Sequence, residues 1–165
     1  MQQKFSQKYT IITLLEDMEE GTEFPSTNWP LHVTIADTFA VDWGVNNLRE
    51  KLSELAAKCK PFKAKAAHDE YFGPEKQTQV TILDMSKELV ALHHDAVALL
   101  KSAGAVFNDP QYTEGGFRAH ATVQSHARLN KGDTVAFENL AIVNMFPNED
   151  PYQRKIMKIL RLSGK

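Results

Sequence analysis

The 165-residue sequence has a single cysteine, no long apolar run and no excess of either charge. With Cys59 alone, an intrachain disulfide is impossible, and a reducing cytoplasm is the expected compartment. No segment approaches the ~18 consecutive apolar residues of a membrane span, and residues 1–8 contain no apolar core of a secretory signal. We therefore expect a cytoplasmic protein without membrane contact.

The charge is nearly balanced, with 19 Lys and Arg residues against 21 Asp and Glu residues and a formal net charge of −2. Proteins that coat long nucleic acids need a broad cationic face, because their binding gains free energy from counterion release. The composition therefore argues against such a protein. An enzyme that grips one phosphate or one RNA end remains compatible with it, since that site needs only a few local donors.

The length and a hydrophobic content of 42% favour one globular domain, residues 1–165. Alternating or β-branched segments predict strands near 9–15, 31–41, 62–72, 79–83, 117–123, 134–145 and 154–162. Apolar residues at helical spacing predict helices near 42–59 and 86–104, with Asp42 and Ser86 as N-caps. This order predicts an α+β fold of two lobes, each an antiparallel sheet with a helix packed on it, around a central cleft. The lobes are expected to be related by an approximate internal twofold.

The two halves share one motif, a histidine followed two positions later by a threonine, at His32–Thr34 (His-Val-Thr) and His120–Thr122 (His-Ala-Thr). Residues i and i+2 of a strand point to the same face. Each motif therefore directs an imidazole and a hydroxyl to one side, while the residue between them packs into the core. A three-residue motif alone is weak evidence of function. The alternative is that these histidines and threonines are ordinary polar strand residues that face solvent.

Such a pair of motifs suits displacement at phosphorus, which needs a base on one side and an acid on the other. With an unperturbed pKa of ~6.5, histidine serves in either role near neutral pH. Threonine hydroxyls stabilise the charge that builds on the non-bridging oxygens. We interpret His32 and His120 as the acid–base pair and Thr34 and Thr122 as phosphate-binding residues, with no metal and no cofactor. For hydrolysis we assign water activation to His120, an assignment that the near-symmetry of the motifs leaves open.

The chain resembles the two-histidine phosphoesterase superfamily, which contains 2′-5′ RNA ligase-like proteins and cyclic phosphodiesterases. Leu31–Ile35 and Ala119–Val123 match its paired His-x-Thr signature, and Tyr71–Pro74 and Tyr112–Phe117 lie where the family places them. The resemblance implies a two-lobed fold with both motifs lining the cleft. It also implies action on 2′,3′-cyclic phosphate or 2′-5′ phosphodiester bonds of RNA ends or nucleotides, or the reverse 2′-5′ ligation of RNA.

The sequence departs from many relatives at three positions that bear on substrate preference. Ala119 replaces a proline before the second histidine, Ser125 an arginine after the second motif, and Asp37 an aromatic residue. Arg118 and Arg128 are candidates to replace that arginine at the substrate.

Two aromatic residues near loops, Tyr112 and Phe117, are candidate substrate-binding residues on which a base could stack. Core packing is the plainer alternative for both. The acidic segment 16–23 is interpreted as a solvated loop. His93 and His94 are adjacent on a predicted helix and point about 100° apart, so they do not form a chelating pair. We expect His93 to be a core residue.

Three functions are compatible with these features. The first is the metal-independent phosphoesterase described above, acting as a monomer on a small nucleotide or an RNA terminus. The second is a non-catalytic RNA- or nucleotide-binding module of the same fold, and the third is an interaction protein in which both triplets are accidental. The intact pair of motifs favours the enzyme, because a pure binder has no need of two matched imidazoles.

Overall fold

The computed structural model describes residues 7–165; residues 1–6 of the N-terminal segment lie outside the described residues. The strands and helices in chain order are β1 (Lys8–Leu14), β2 (Glu23–Pro25), β3 (His32–Ala40), α1 (Val45–Lys58), β4 (Phe62–Phe72), β5 (Thr78–Leu83), α2 (Lys87–Ser102), β6 (Val106–Phe107), β7 (His120–Thr122), β8 (Thr134–Phe137), β9 (Asn139–Asn144) and β10 (Gln153–Arg161). Short 3₁₀ turns span Pro110–Tyr112, Glu114–Gly116 and Pro147–Glu149. None of the helices within residues 7–165 is long and apolar enough to cross a membrane.

The strands form two antiparallel sheets. The six-stranded sheet has the order β2-β10-β9-β1-β3-β6, and the four-stranded sheet has the order β7-β5-β4-β8. β3 and β7, which carry the two motifs, contact each other although they belong to different sheets. Two sheets and two helices confirm the predicted α+β class with two lobes.

The main apolar core is shared by both sheets and both helices. Ile35 of β3, Leu52 of α1, Leu89 of α2 and Phe137 of β8 all belong to it and have no exposed surface. α1 packs against β9 and β10, while α2 packs against β3 and against α1. Both helices contact strands of the six-stranded sheet and share one core with residues of the four-stranded sheet.

The two helices differ in how they begin. Ser86 is the N-cap of α2, as predicted, and its Oγ accepts a hydrogen bond from the backbone N–H of Leu89 at 3.2 Å. The prediction of Asp42 as N-cap of α1 is wrong. The N-cap is Gly44, which provides no side-chain hydrogen bond. Asp42 stands two residues before that position, too early to reach the N–H groups of the first turn.

The predicted strand 134–145 is two strands in different sheets. β8 pairs with β4 in the four-stranded sheet, whereas β9 pairs with β1 and β10 in the six-stranded sheet. The chain passes from one sheet to the other at Glu138. Apolar and β-branched residues continue on both sides of Glu138, so the local pattern shows no break. The short strands β2 and β6 were not predicted.

The connection between β1 and β3 is folded over the six-stranded sheet. Phe24 and Trp29 join a second apolar cluster with residues of β1, β9 and β10. The carboxylate of Glu16 accepts a hydrogen bond from the backbone N–H of Leu31 at 2.7 Å. The segment 16–23 is mostly exposed, as expected for a solvated loop, and Glu16 at its start fixes the chain immediately before His32.

Candidate active site

The two motifs have the alternation that the sequence predicts. In each, the histidine and the threonine are half-buried, while the residue between them, Val33 or Ala121, is buried. The two middle residues belong to the main core. Packing on one side of each strand therefore directs the imidazole and the hydroxyl to the other side.

A cavity of about 650 Å³ lies beside the second motif. Five of the candidate residues line it: Thr34, Tyr112, Phe117, Arg118 and His120. Residues of β3 and β7 thus meet at one cavity, although they belong to separate sheets. Among the described residues, the lining does not include His32, Thr122 or Arg128.

The ring of His120 is held by backbone and aromatic contacts. Its Nδ1 lies 2.7 Å from the carbonyl oxygen of Arg118, and the edge of its ring meets the ring of Phe72 at a centroid distance of 4.8 Å. Burial lowers the pKa of His120 below its ordinary value. The negative charge of Asp37 acts in the opposite direction and favours the imidazolium form.

The ring of His32 is held in the same way. Its Nδ1 lies 2.7 Å from the carbonyl oxygen of Pro30, and its ring packs on the ring of Trp29 at 4.8 Å with an interplanar angle of 30°. Burial, together with the positive charge of His120, lowers the pKa of His32 to about 4, against the opposing effect of the hydrogen bond to Pro30. The two imidazoles are therefore close enough to influence each other's charge.

These contacts fix which ring nitrogen is available for chemistry. A carbonyl oxygen only accepts hydrogen bonds, so Nδ1 of His32 and of His120 must carry the hydrogen. Nε2 of each neutral ring then has the free lone pair. Neither Nε2 atom is hydrogen-bonded to any residue in the range 7–165. Both rings thus offer the same nitrogen to accept or donate a proton.

The two candidate arginines already have carboxylate partners. Arg118 binds Glu70 through both terminal guanidinium nitrogens, and this contact, followed by that of His68, lowers the pKa of Glu70 to about 2. Arg128 donates to both carboxylate oxygens of Asp69, at 2.8 and 2.9 Å. Arg118 thus reaches the cavity with its charge balanced, and Arg128 is held outside the cavity lining.

His93 is a satisfied core residue, as expected, and it shapes one wall of the cavity. It is 2% exposed, its Nδ1 lies 2.7 Å from the carbonyl oxygen of Ile35, and its Nε2 accepts the backbone N–H of Glu114 at 2.8 Å. Its ring stacks on Phe117 with centroids 3.8 Å apart. Phe117 is therefore packed as well as cavity-lining, whereas Tyr112 is 55% exposed.

Within residues 7–165, no group of three or more His, Cys, Asp or Glu side chains is arranged to hold a metal ion.

Asp37 is a cavity residue that sequence reasoning noted only as a departure from relatives. The pairing of β3 with β1 jumps from Thr34 to Ala36, so Ile35 has no partner in the register. Ile35 and Ala36 are both fully buried, and Asp37, which follows them, is half-buried and lines the cavity. Two consecutive apolar residues after Thr34 are the only signal of this bulge in the sequence.

Comparison with known proteins supports the same fold. Residues 10–141 match the family model of the 2′-5′ RNA ligase superfamily, and no curated protein matches the sequence significantly. The crystal structure of TT0787 of Thermus thermophilus is similar, with a TM-score of 0.59 and 16% identity over 96% of this chain and 99% of that one. E. coli LigT complexed with NADP+ gives 0.57 and 14% identity over 97% and 99%. LigT complexed with 3′-AMP gives 0.55 and 16% identity over 95% and 98%.

At these identities the crystal structures establish the fold alone. The family model, in contrast, covers most of the chain and includes both His-x-Thr motifs. The chain therefore belongs to the 2′-5′ RNA ligase superfamily, within the two-histidine phosphoesterases.

Proposed function

We propose that the protein is a phosphoesterase in which His32 and His120 act as an acid–base pair on 2′,3′-cyclic phosphate or 2′-5′ phosphodiester bonds of RNA ends or nucleotides. The observation that carries the proposal is the matched orientation of the two rings, each with Nδ1 bound to a backbone carbonyl and Nε2 left available. Members of the superfamily are phosphoesterases and ligases. The complex of LigT with 3′-AMP supports a nucleotide as the ligand.

Opening of a 2′,3′-cyclic phosphate illustrates the reaction. One neutral imidazole takes a proton from water while the water oxygen bonds to phosphorus, and the bond from phosphorus to one ribose oxygen breaks. The other imidazole, protonated at the start, gives its proton to that ribose oxygen. If a hydroxyl of a second RNA end replaces water, the same steps produce a phosphodiester, which is the proposed route to 2′-5′ ligation.

The surroundings of the rings favour His32 as the base and His120 as the acid, which is the opposite of the assignment made from the sequence. With a pKa of about 4, His32 is neutral in the free protein near neutral pH. Burial also lowers the pKa of His120, but the charge of Asp37 opposes that effect and favours the imidazolium form there. A bound phosphate, being anionic, also favours the imidazolium form of whichever ring it contacts.

The threonines supply the remaining donors. Thr34 lines the cavity with His120, and Thr122 is the matching residue of β7. Hydroxyl donors aimed at the non-bridging oxygens stabilise the charge that develops there. Together with one imidazolium, they fill the roles that a metal ion has in other phosphoesterases, so we propose that catalysis needs no metal.

Hydrolysis assays with and without EDTA test this function. We expect the purified protein to open a 2′,3′-cyclic nucleotide or to cleave a 2′-5′ dinucleotide at the same rate in both conditions. Loss of activity with EDTA that a divalent ion restores would contradict the metal-independent mechanism. Tight binding of the nucleotides without turnover would favour the non-catalytic binding module instead.

A further inference from the structure

Asp37 is the cavity carboxylate that has no guanidinium or ammonium partner within residues 7–165, although the charge of a protonated His120 acts on it. Glu70, the other carboxylate of the lining, is paired with Arg118 and His68. Asp37 makes no ion pair within residues 7–165, and its one hydrogen bond there is from the backbone N–H of Thr38 to Oδ1 at 2.8 Å. Burial raises the pKa of Asp37, as expected for a carboxylate that has lost part of its hydration.

The carboxylate of Asp37 can accept a further hydrogen bond from a ligand. Its Oδ1 accepts the Thr38 N–H, while its Oδ2 has no hydrogen-bond partner among residues 7–165. In a 2′,3′-cyclic nucleotide the 2′- and 3′-oxygens are esterified and have no hydrogen to donate, which leaves the 5′-hydroxyl and the N–H groups of the nucleobase as donors. Of these, only the N–H groups differ from one nucleotide to another, so a carboxylate that binds them selects among bases.

The cavity also provides the rest of a base-binding site. Its volume of about 650 Å³ lies within the range of small-molecule sites. Aromatic rings of Phe72, Tyr112 and Phe117 line it together with Asp37. Rings of this kind bind the faces of all bases, so they supply affinity without selecting among them. Selection then depends on the polar groups at the edge of the base.

We propose that Asp37 is a specificity-determining residue that accepts hydrogen bonds from N–H groups at the edge of the substrate's base, with guanine as the preferred base. Guanine has two adjacent donors, N1–H and the N2 amino group, which match the two oxygens of a carboxylate. Adenine and cytosine have one amino group beside a ring-nitrogen acceptor, and uracil has one N–H between two carbonyl oxygens. This inference rests on the proposed function, since it concerns the same cavity.

Turnover of two substrates by two variants tests the inference. For the wild-type protein, we expect kcat/KM for guanosine 2′,3′-cyclic phosphate to exceed that for the uridine compound by about 10- to 100-fold, the discrimination of a good bidentate contact. Asp37→Asn retains an oxygen for the Thr38 N–H but turns a donor toward the donors of guanine. We expect this variant to lose the preference, with a lower rate on both compounds because the charge that favours the imidazolium form of His120 is also removed.

Asp109→Asn is the matched control. Asp109 lies on the neighbouring loop, close enough for its charge to raise the pKa of Asp37, but it is not part of the cavity lining. Its substitution removes the same charge without changing an acceptor in the cavity, so the base preference should remain. Equal loss of preference in both variants would assign the effect to charge and overturn the role of Asp37 as acceptor.

Calorimetric binding of guanosine 3′-monophosphate and uridine 3′-monophosphate separates this inference from the catalytic proposal. Preferred binding of the guanosine compound that is lost in Asp37→Asn supports the inference, even if no substrate is turned over. Equal affinity for the two compounds, or a preference unchanged in the variant, overturns it while leaving turnover intact. Binding of neither compound contradicts both proposals.

Discussion

The two catalytic candidates have the same backbone contact but different neighbours. Trp29 covers one face of His32, and Phe72 meets the edge of His120. Burial lowers the pKa of both rings, and Asp37 opposes this effect at His120. Two residues with one sequence motif thus acquire different proton affinities from their surroundings.

These pKa shifts lead to a pH profile with an acidic optimum. The base must be neutral and the acid protonated in the free protein, and kcat/KM reports these ionisations. Since both pKa values lie below 6.5, we expect a bell-shaped profile with its maximum below that pH and a falling limb as the acid loses its proton. Measurement with a 2′,3′-cyclic nucleotide from about pH 4 to about pH 8, with a check of folding at each pH, tests this. A maximum above about pH 7 would contradict the assignment.

The hydroxyl of Thr34 has its own test. Thr34→Val keeps the shape and the preference for a strand but removes the donor, so we expect kcat to fall by roughly 10²-fold, the usual loss for one donor to a developing charge. Thr34→Ser restores a hydroxyl and should recover most of the rate. Equal activity of the valine and serine variants would show that the hydroxyl has no role in catalysis.

At the scale of secondary-structure elements, the clearest energetic contribution from a single side chain is the cap of α2. Ser86→Ala removes the hydrogen bond to the Leu89 N–H and should lower the free energy of unfolding by about 1 kcal/mol. Ser125→Ala, at an exposed bend, is the control and should have little effect. Urea denaturation of the two variants and the wild type measures the difference. A free energy of unfolding of Ser86→Ala equal to that of the wild type would mean that water replaces the serine hydroxyl at the Leu89 N–H.

The elements also show what the sequence predicts and what it does not. The alternation around His32 and His120 predicts their orientation, because a strand with one buried face allows only one register. The position of Asp37 depends on how β3 pairs with β1, a contact between distant segments that no local pattern specifies. The change of sheet at Glu138 and the packing of Trp29 on His32 depend on tertiary contacts in the same way.

At the scale of the whole molecule, burial of neutral histidines makes stability depend on pH. The pKa values of His32, His93 and His120 are lowered in the folded protein, so below pH 6.5 the unfolded chain binds more protons than the folded one. The contribution of these histidines to the free energy of unfolding is therefore fully present above pH 6.5 and is lost as the pH falls. A pKa difference of one unit between the unfolded and the folded state is worth about 1.4 kcal/mol of free energy of unfolding. The lowering of the His32 pKa from 6.5 to about 4 therefore contributes about 3 kcal/mol.

Urea denaturation at about pH 7.5 and about pH 5 tests this dependence. We expect a lower free energy of unfolding at the lower pH, and a smaller difference in a His32→Gln variant, which cannot be protonated. His94→Gln, on the exposed face of α2, is the control and should keep most of the dependence of the wild type, because His94 makes only the smallest contribution to the lowered pKa of His93. Stability that rises toward about pH 5 would contradict the assignment of these histidines as buried and neutral.

The central claim, that His32 and His120 act as one acid–base unit, is tested most directly by the rate of 2′,3′-cyclic nucleotide hydrolysis in single and double alanine variants. We expect His32→Ala and His120→Ala each to lower the rate by roughly 10²–10⁴-fold. The double variant should be little worse than either, because groups that act together are not additive. His94→Ala should retain the wild-type rate. Near wild-type turnover by a folded His32→Ala or His120→Ala protein would contradict the mechanism.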